Sequence, residues 1–303
     1  MDRVVIVTKP TGLTELIREH LTMSSAKFEL ESGGRSIAPF EAEHDTYVKA
    51  LAEIRRQIPP EIPTAKISRE QVPDFPFRDT DLVLVCGPDG LFANVAKYVG
   101  DQLLLTVNPD PKNVTGALML FAPKSVRAAI LAIQKGTHKT ERLPFVKAAF
   151  ADNRVVWGIN DVFIGRRDHI SARYEILFAG QKERQSSSGI IVSTGIGSSG
   201  WMRSVVAMMT SVAGSSGALE RLPLPRSDEL VFVVREPFPS PSTGTTIVTG
   251  RIRPGRPLVV ACEMPEGGCV FSDGVTEKTI EWKAGSSVTI SVGDRHVTRV
   301  LPN

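Results

Sequence analysis

A glycine-rich turn near residue 88 carries the first residues that could do chemistry. The turn Cys86–Leu91 has the sequence Cys-Gly-Pro-Asp-Gly-Leu, and it follows a buried-strand pattern and precedes a helical one. Such a turn points backbone N–H groups at an anion, with help from the helix dipole. The Asp89 carboxylate would repel a phosphate, so it is suited instead to accept a proton from a hydroxyl or to hold a metal ion. Pro-Asp-Gly is also a common turn tripeptide, so an ordinary turn stays open.

A second candidate segment is Trp157–Ile164, which contains the pair Asn160 and Asp161. Asn donates and accepts at once and therefore matches an adenine edge, while a carboxylate can accept from both hydroxyls of a ribose. Neighbours on a regular strand point to opposite faces, so both can reach one ligand only at a strand end or a bulge. An Asn-Asp turn that closes a strand is the alternative.

The third segment runs from Ser186 to Trp201 and is rich in glycine and serine. It contains Gly195-x-Gly197-x-x-Gly200 between a strand and a helix, which is the spacing of a dinucleotide fingerprint. The preceding chain is rich in strands and does not resemble the first strand of a βαβ repeat, which argues against a Rossmann dehydrogenase. The pattern favours small residues that let the backbone approach a flat ligand. A tight loop at a packed corner stays open.

The elements that must position these segments differ along the chain. Apolar runs at Val4–Thr8, Leu82–Cys86 and Leu103–Val107 predict strands buried on both faces. Helical patterns lie between them, and Asp45 is a candidate N-cap of one helix. The Pro-rich segment 58–76 is expected to connect elements without forming one. Strand and helix in alternation predict a mostly parallel sheet covered by helices.

Beyond residue 140 the pattern changes to short strands separated by Gly, Pro and Ser, interrupted by one helix at about Trp201–Val212. We therefore predict an α/β domain over 1–140, which carries the Gly-Pro-Asp-Gly turn, and a β-rich, sandwich-like domain over 141–290. The tail, about 291–303, is a candidate to return to the first domain.

Composition limits the functional classes. The chain has 303 residues, 42% of them hydrophobic, and a formal net charge of +3, which gives no ground for a nucleic-acid or membrane partner. Its three cysteines form no Cys-x-x-Cys pair, which suggests a reducing compartment and no zinc site. No apolar run reaches the roughly 18 residues of a membrane span. A strand pattern begins at Val4, so we expect no signal or transit peptide before it. We expect a soluble, cytoplasmic protein.

In this order the three motifs resemble those of the NAD kinase family, most closely its mitochondrial-type branch, over Val4 to about Asp273. The turn at Asp89 is similar to the family's Gly-Gly-Asp-Gly-Thr signature, and Asn160-Asp161 to its Asn-Glu motif. The segment Ser187–Trp201 is similar to the family's nucleotide loop, and it is the most specific match in length and closing aromatic. Further matches are Val107-Asn108-Pro109-Asp110-Pro111 followed by Gly116, which resembles the mitochondrial-type stretch, and, more weakly, Arg235-Glu236-Pro237 and Asp273-Gly274.

The resemblance implies an NAD kinase/diacylglycerol kinase-like fold and transfer of the ATP γ-phosphoryl group to the 2′-hydroxyl of the adenosine ribose of NAD, giving NADP. It implies that Asp89 is the general base, that Asn160 binds adenine and that Asp161 binds a ribose diol. The β-rich domain over 141–290 is thereby implied to bind the dinucleotide. It further implies Mg²⁺ arriving with ATP, no dedicated metal site, and a homodimer or homotetramer. The residues implied to line the NAD pocket are Ser188, Ser199, Gly200 and Ser204, and those implied to hold the ATP phosphates are Gly87 and Gly90.

Several positions depart from the family pattern. Pro88 stands in place of Gly and removes one backbone donor, and Leu91 stands in place of Thr. Ile196 replaces a Thr, and Asp161 is one methylene shorter than the usual Glu. These changes leave open a weakly active or inactive NAD(P)-binding protein, or a kinase of another hydroxyl acceptor such as a lipid or sugar. The donor (ATP or polyphosphate) and the acceptor (NAD or NADH) are also open.

Overall fold

The structure is a computed structural model that describes residues 1–114, 116–214, 222–224 and 227–302. The chain divides into two compact units. Unit 1 comprises Met1–Glu141 together with Val297–Asn303, and unit 2 comprises Arg142–His296. None of the helices described is long and apolar enough to cross a membrane.

Unit 1 alternates strands and helices. In chain order these are β1 (Arg3–Thr8), α1 (Gly12–His20), α2 (Met23–Ser32), α3 (Ala38–Gln57), β2 (Thr64–Ser68), β3 (Asp81–Cys86), α4 (Asp89–Ala96), β4 (Leu103–Val107) and α5 (Val126–Gln134). Short 3₁₀ helices lie at Arg69–Asp74 and Pro123–Ser125.

The strands of unit 1 form a parallel sheet in the order β2-β1-β3-β4. Val4 pairs with Thr64 on one side of β1 and with Leu82 on the other. The side chains of β3 are buried throughout, because helices cover both faces of the sheet. The strand order reverses between β1 and β3, since the chain leaves β1 on one side and returns on the other.

Two expectations for unit 1 are wrong. The segment 58–76 contains strand β2 and a short 3₁₀ helix. Most β2 side chains are exposed or half-buried because β2 is an edge strand, so it lacks the apolar run that reveals a buried strand. Asp45 caps no helix, because α3 begins seven residues earlier at Ala38, with a proline in its first turn.

Unit 2 is built almost entirely from strands. In chain order the remaining α-helix and strands are β5 (Lys139–Phe150), β6 (Val155–Gly158), β7 (Asp161–Arg166), β8 (Ala172–Phe178), β9 (Gln181–Ser187), β10 (Ile190–Ser193), α6 (Trp201–Ala213), β11 (Leu230–Val234), β12 (Thr249–Ile252), β13 (Leu258–Cys262), β14 (Gly268–Ser272), β15 (Val275–Glu281) and β16 (Ser287–Leu301). A short 3₁₀ helix, Ile196–Ser199, lies between β10 and α6. The end of β16 belongs to unit 1, where Thr298 pairs in parallel with Leu103 of β4.

A six-stranded antiparallel sheet in the order β12-β11-β10-β7-β14-β15 forms one layer of unit 2. Alternate side chains of its strands face a core shared with β8, β13 and the start of β16, as Ile190 and Val192 do. The residues between them face the other way, and Ile191 packs against Met202 of α6. Helix α6 therefore covers the outer face of this sheet. The predicted fold class, a mostly parallel α/β region followed by a β-rich region with one helix, is confirmed.

Candidate functional site

A cleft lies at the edge of unit 1 where β1, β3 and β4 end. It has a volume of about 230 Å³. Crevices at the carboxyl ends of parallel strands, at the point where the strand order reverses, are the usual ligand sites of open α/β sheets. The lining residues are Lys9, Pro10, Thr11, Glu43, Thr46, Tyr47, Gly87, Pro88, Asn108, Pro109, Asp110 and Val114.

Asp89 comes directly after two of these lining residues, as the first residue of α4. Its Oδ2 accepts the Ala117 N–H at 3.0 Å, and its Oδ1 accepts the Leu118 N–H at 3.1 Å. A Cβ at Gly116 would lie 3.1 Å from Asp89 Oδ1, so glycine there gives the carboxylate room. The two amides fix the orientation of the carboxylate, and each oxygen keeps a second lone pair that can accept from a hydroxyl.

The amides of the turn are only partly available to a ligand. The Gly87 N–H donates to the Val107 carbonyl at 3.3 Å, the Leu91 N–H donates to the Pro88 carbonyl at 2.9 Å, and Pro88 has no N–H. The Gly87 N–H is therefore already bonded within the protein, and the role of Gly87 in holding the ATP phosphates stays a prediction. Gly90 is exposed in the first turn of α4, where N–H groups have no partner within the helix.

Leu91 departs from the family pattern for a packing reason. Its side chain is buried, and a Cβ at Gly87 would lie 2.8 Å from Leu91 Cδ2. The leucine thus fills core volume beneath the turn, and Gly87 is small because this side chain lies against it. A ligand would meet no group from the Leu91 side chain.

In unit 2, Asn160 lies in a bend between β6 and β7, and Asp161 follows it as the first residue of β7. The Asp273 carboxylate accepts three successive amides there: Ile159 N–H at 3.2 Å, Asn160 N–H at 2.7 Å and Asp161 N–H at 3.1 Å. Asp161 begins β7 and Asn160 precedes it, so the pair sits at a strand end, as a shared ligand would require.

The Asn160 side chain has an unused acceptor. Its Oδ1 is buried, and no donor among the described residues lies within hydrogen-bonding distance. Buried polar atoms of native proteins almost always have a partner, so an exception calls for a specific explanation. A bound donor such as an exocyclic amine would supply one. The Asp161 side chain beside it is buried.

The glycine-rich loop packs onto the same bend. A Cβ at Gly197 would lie 1.9 Å from the Asn160 carbonyl oxygen, which only glycine avoids. The Thr194 N–H donates to that oxygen at 3.0 Å, and the Thr194 hydroxyl donates to the Ile159 carbonyl at 2.6 Å. Ile196, which stands where the family has Thr, is buried in this loop. Gly197 thus serves close packing of the loop against the Asn160 bend.

Strand β10, which leads into this loop, pairs antiparallel with β7 and β11. A Rossmann fingerprint requires a parallel βαβ unit, so the match to that pattern is coincidental. Ser199 and Gly200 are exposed where the loop meets α6, and Ser204 is exposed one turn along the helix. These three predicted NAD-binding residues are brought together near the Asn160 bend by the loop that contacts it.

Ser188 is not brought to this cluster. Ser193 pairs with Asp161 at one end of β10, whereas Ser188 precedes the other end, where its N–H donates to the Arg235 carbonyl at 2.9 Å. Five residues of extended chain separate the two serines by about 16 Å. Ser188 therefore lies apart from Ser199, Gly200 and Ser204, and its place in the NAD pocket stays a prediction.

Sequence reasoning missed the roles of Asp273 and Thr194 in holding the Asn160 bend. Asp273 is followed by Gly274 and adopts a left-handed φ of 53°, which Asp tolerates better than most residues, but nothing in the sequence links it to the Asn160 bend. In the described parts of the chain no cluster of three or more His, Cys, Asp or Glu could hold a metal ion.

No protein-family model matches the chain, and no curated protein matches it in sequence. Solved structures do match it in three dimensions. A yeast NADH kinase complexed with NADH has a TM-score of 0.62 at 14% identity, with 99% of this chain and 84% of that chain covered. An NAD kinase from Archaeoglobus fulgidus in complex with ATP has a TM-score of 0.59 at 18% identity, with 98% and 92% covered.

The chain has the NAD kinase fold. The resemblance drawn from the three motifs is thus confirmed at the level of the fold, over nearly the whole chain. The closer similarity to the mitochondrial-type branch stays a prediction.

Proposed function

We propose that the chain is a kinase that transfers the γ-phosphoryl group of ATP to the 2′-hydroxyl of the adenosine ribose of NAD, giving NADP. The observation that carries this proposal is the Asp89 carboxylate, fixed by two backbone amides beside a cleft at the carboxyl edge of a parallel sheet. The NAD kinase fold supports it, since the matched structures are complexes with NADH and with ATP.

In this proposal Asp89 acts as the general base. The ribose oxygen attacks the γ-phosphorus as the bond to the β-phosphate oxygen breaks, ADP leaves, and the hydroxyl proton passes to an Asp89 carboxylate oxygen. Because the two amides already orient the carboxylate, its free lone pairs need no rearrangement. The exposed Gly90 amide in the first turn of α4 is the proposed phosphate contact on this side.

The residues of unit 2 supply recognition of the dinucleotide. Asn160 binds adenine through an amide whose oxygen has no donor among the described residues, and Asp161 binds a ribose diol. The exposed groups around the start of α6, at Ser199, Gly200 and Ser204, line the same pocket.

Magnesium belongs to the proposal as a companion of ATP. The cleft is lined by Asp110, Glu43 and Asn108, whose oxygen atoms are the hard donors that Mg²⁺ prefers. One or two carboxylates together with substrate phosphates commonly suffice for Mg²⁺, so these residues fit the ion. Bound Mg²⁺ would neutralise charge on the transferring phosphoryl group. Lys9 would add a positive charge at the cleft wall.

A second candidate function is dinucleotide binding with weak or no phosphoryl transfer. It is favoured by the scarcity of free amides in the turn, where Pro88 has no N–H and the Gly87 N–H is bonded to Val107. A phosphate would find fewer donors there than in a turn with glycine at position 88.

The test is an NADP-formation assay of the purified chain with Mg²⁺, either ATP or polyphosphate as donor, and either NAD or NADH as acceptor. Calorimetry with NAD and with ATP runs beside it. Production of NADP from NAD, or of NADPH from NADH, supports the kinase. Binding of NAD without turnover from any donor favours the second candidate, and no binding of either nucleotide contradicts both. Sedimentation on the same sample tests the proposed homodimer or homotetramer.

A further inference from the structure

A buried ion pair lies in unit 1 at the end of the chain. Arg299, on the last part of β16, is 4% exposed, and Glu141, at the start of β5, is 6% exposed. Arg299 Nε donates to Glu141 Oε1 at 2.8 Å, and Arg299 Nη2 donates to the same oxygen. A buried guanidinium requires partners for its N–H groups, so its other contacts indicate what it holds.

The third contact of Arg299 is with the segment that holds Asp89. Arg299 Nη1 donates to the Leu118 carbonyl at 3.0 Å, and the Leu118 N–H donates to Asp89 Oδ1 at 3.1 Å. Arg299 therefore holds the Leu118 carbonyl, and the N–H of the same residue holds the Asp89 carboxylate.

The fourth contact of Arg299 is with the helix that carries Asp89. The guanidinium carbon of Arg299 lies 5.7 Å from the centre of the Phe92 ring, at cation–π distance. Phe92 is fully buried on α4, three residues after Asp89 and therefore on the next turn of the same helix. Arg299 thus touches both the helix that carries Asp89 and the segment that orients the Asp89 side chain.

We propose that Arg299, held by Glu141, is a positioning residue that sets the orientation of the Asp89 carboxylate through Leu118 and Phe92. This inference rests on the proposed role of Asp89 as the general base. The planar fork of arginine meets Glu141 and Leu118 at once while its guanidinium carbon lies over the Phe92 ring, which the point charge of a lysine cannot reproduce. A small displacement of a reacting group can cost a large factor in rate, so the effect belongs in kcat.

The experiment compares the wild type with Arg299→Lys and with the double variant Arg299→Met/Glu141→Met. The double variant removes both charges together, which avoids a lone buried carboxylate and preserves folding better than a single change. Arg56→Met is the matched control, because Arg56 is an exposed arginine of unit 1 paired with Glu53. Two readouts are used: kcat and KM for NADP formation, and hydrogen–deuterium exchange of the Ala117 and Leu118 amides without substrate.

We expect the two amides to exchange at least tenfold faster in both Arg299 variants, with kcat lowered at least tenfold and both KM values within about threefold of wild type. Unchanged exchange, or faster exchange with kcat unchanged in folded variants, overturns the inference. If the wild type forms no NADP, the proposed function fails by itself. The exchange readout then still decides whether Arg299 holds the Asp89 segment.

Discussion

Asn160 Oδ1 is a buried acceptor with no donor among the described residues. The backbone of Asn160 is held by hydrogen bonds to two other residues. Asp273 accepts the Asn160 N–H at 2.7 Å, and Thr194 donates to the Asn160 carbonyl at 3.0 Å. The backbone is therefore fixed before any ligand binds, while the side-chain oxygen is unused. A preorganised group of this kind contributes to affinity without an ordering cost at binding.

We predict that Asn160→Leu weakens NAD binding about 5- to 100-fold, which corresponds to roughly 1–3 kcal/mol for lost hydrogen bonds to the ligand. The melting temperature should stay close to that of the wild type, because the substitution removes a buried polar atom that has no partner in the described protein. Calorimetry with NAD and thermal melting measure both effects, and ATP binding is the internal control. An unchanged NAD affinity would remove Asn160 from the site.

Asp81 illustrates a charged residue whose role is structural. Its carboxylate is buried and accepts Arg3 Nε at 2.9 Å, Arg3 Nη2 at 2.6 Å and the Arg78 N–H at 2.9 Å. Burial alone would raise the pKa of Asp81, but the hydrogen bonds from Arg3 and Arg78 outweigh it and leave the pKa below its usual value. The ionised carboxylate therefore stabilises the folded state.

Asp81→Asn should cost about 3 kcal/mol of unfolding free energy at pH 7, a typical loss for breaking a buried pair. Because the folded-state pKa lies below the unfolded value of about 3.9, this stabilisation is complete above that pH and is lost as the pH falls below it. Urea unfolding of both proteins at several pH values measures the difference. Asp79→Asn, an exposed position two residues earlier, is the control. A loss that persists unchanged at low pH would contradict the pairing.

At the scale of elements, the candidate site residues of unit 2 lie at the ends of strands of its antiparallel sheet. Strand β7 begins at Asp161 and β10 ends at Ser193, and these two residues are paired. The bend before β7 and the loop after β10 therefore emerge together. Gly197 lets the loop rest directly on the Asn160 carbonyl, so a side chain there must move one of the two segments.

Gly197→Ala is expected to destabilise the chain by about 1–3 kcal/mol and to weaken NAD binding at least tenfold, because its Cβ would lie 1.9 Å from the Asn160 oxygen. Gly100→Ala is the matched control. Its Cβ would meet only Gln102 Oε1 at 3.6 Å, an ordinary contact. Denaturant unfolding and NAD calorimetry give the two values. If the two alanine variants behave alike, the loop does not depend on this close approach.

Elements with a strong burial pattern could be predicted from the sequence, and others could not. Strand β3 is buried along its whole length and was evident as an apolar run. Strand β2 could not be predicted, since only one of its five side chains is buried and its pairing with β1 depends on backbone hydrogen bonds. The predicted start of α3 at Asp45 is wrong, because the helix begins at Ala38 and Pro39 lies in its first turn.

The candidate site was predictable where the residue types themselves carry chemistry, as for Asp89 and Asn160. The contacts that hold them were not. Leu118 acts through its backbone N–H, which has no sequence signature. Asp273 is 113 residues away from Asn160, whose N–H donates a hydrogen bond to it. The string of small residues from Ser186 to Gly200 likewise does not reveal that strand β10 separates Ser188 from Ser199.

At the scale of the whole molecule, fold and motifs agree while overall sequence similarity is low. Identities of 14% and 18% accompany coverage of nearly all of this chain. A hydrophobic pattern of suitable volume tolerates extensive substitution, so a fold can be retained when few residues are. Function depends on fewer positions, and in unit 1 the proposal depends above all on one carboxylate.

The most direct measurement is therefore the rate of NADP formation by Asp89→Asn beside Asp101→Asn. Asp101 is an exposed aspartate of the same unit, just before β4, so its substitution changes charge equally away from the cleft. A general base contributes about 10²–10⁴-fold, so kcat/KM of Asp89→Asn should fall by that factor while ATP and NAD still bind and Asp101→Asn retains wild-type activity. Near wild-type turnover by a folded Asp89→Asn variant would contradict the proposed mechanism.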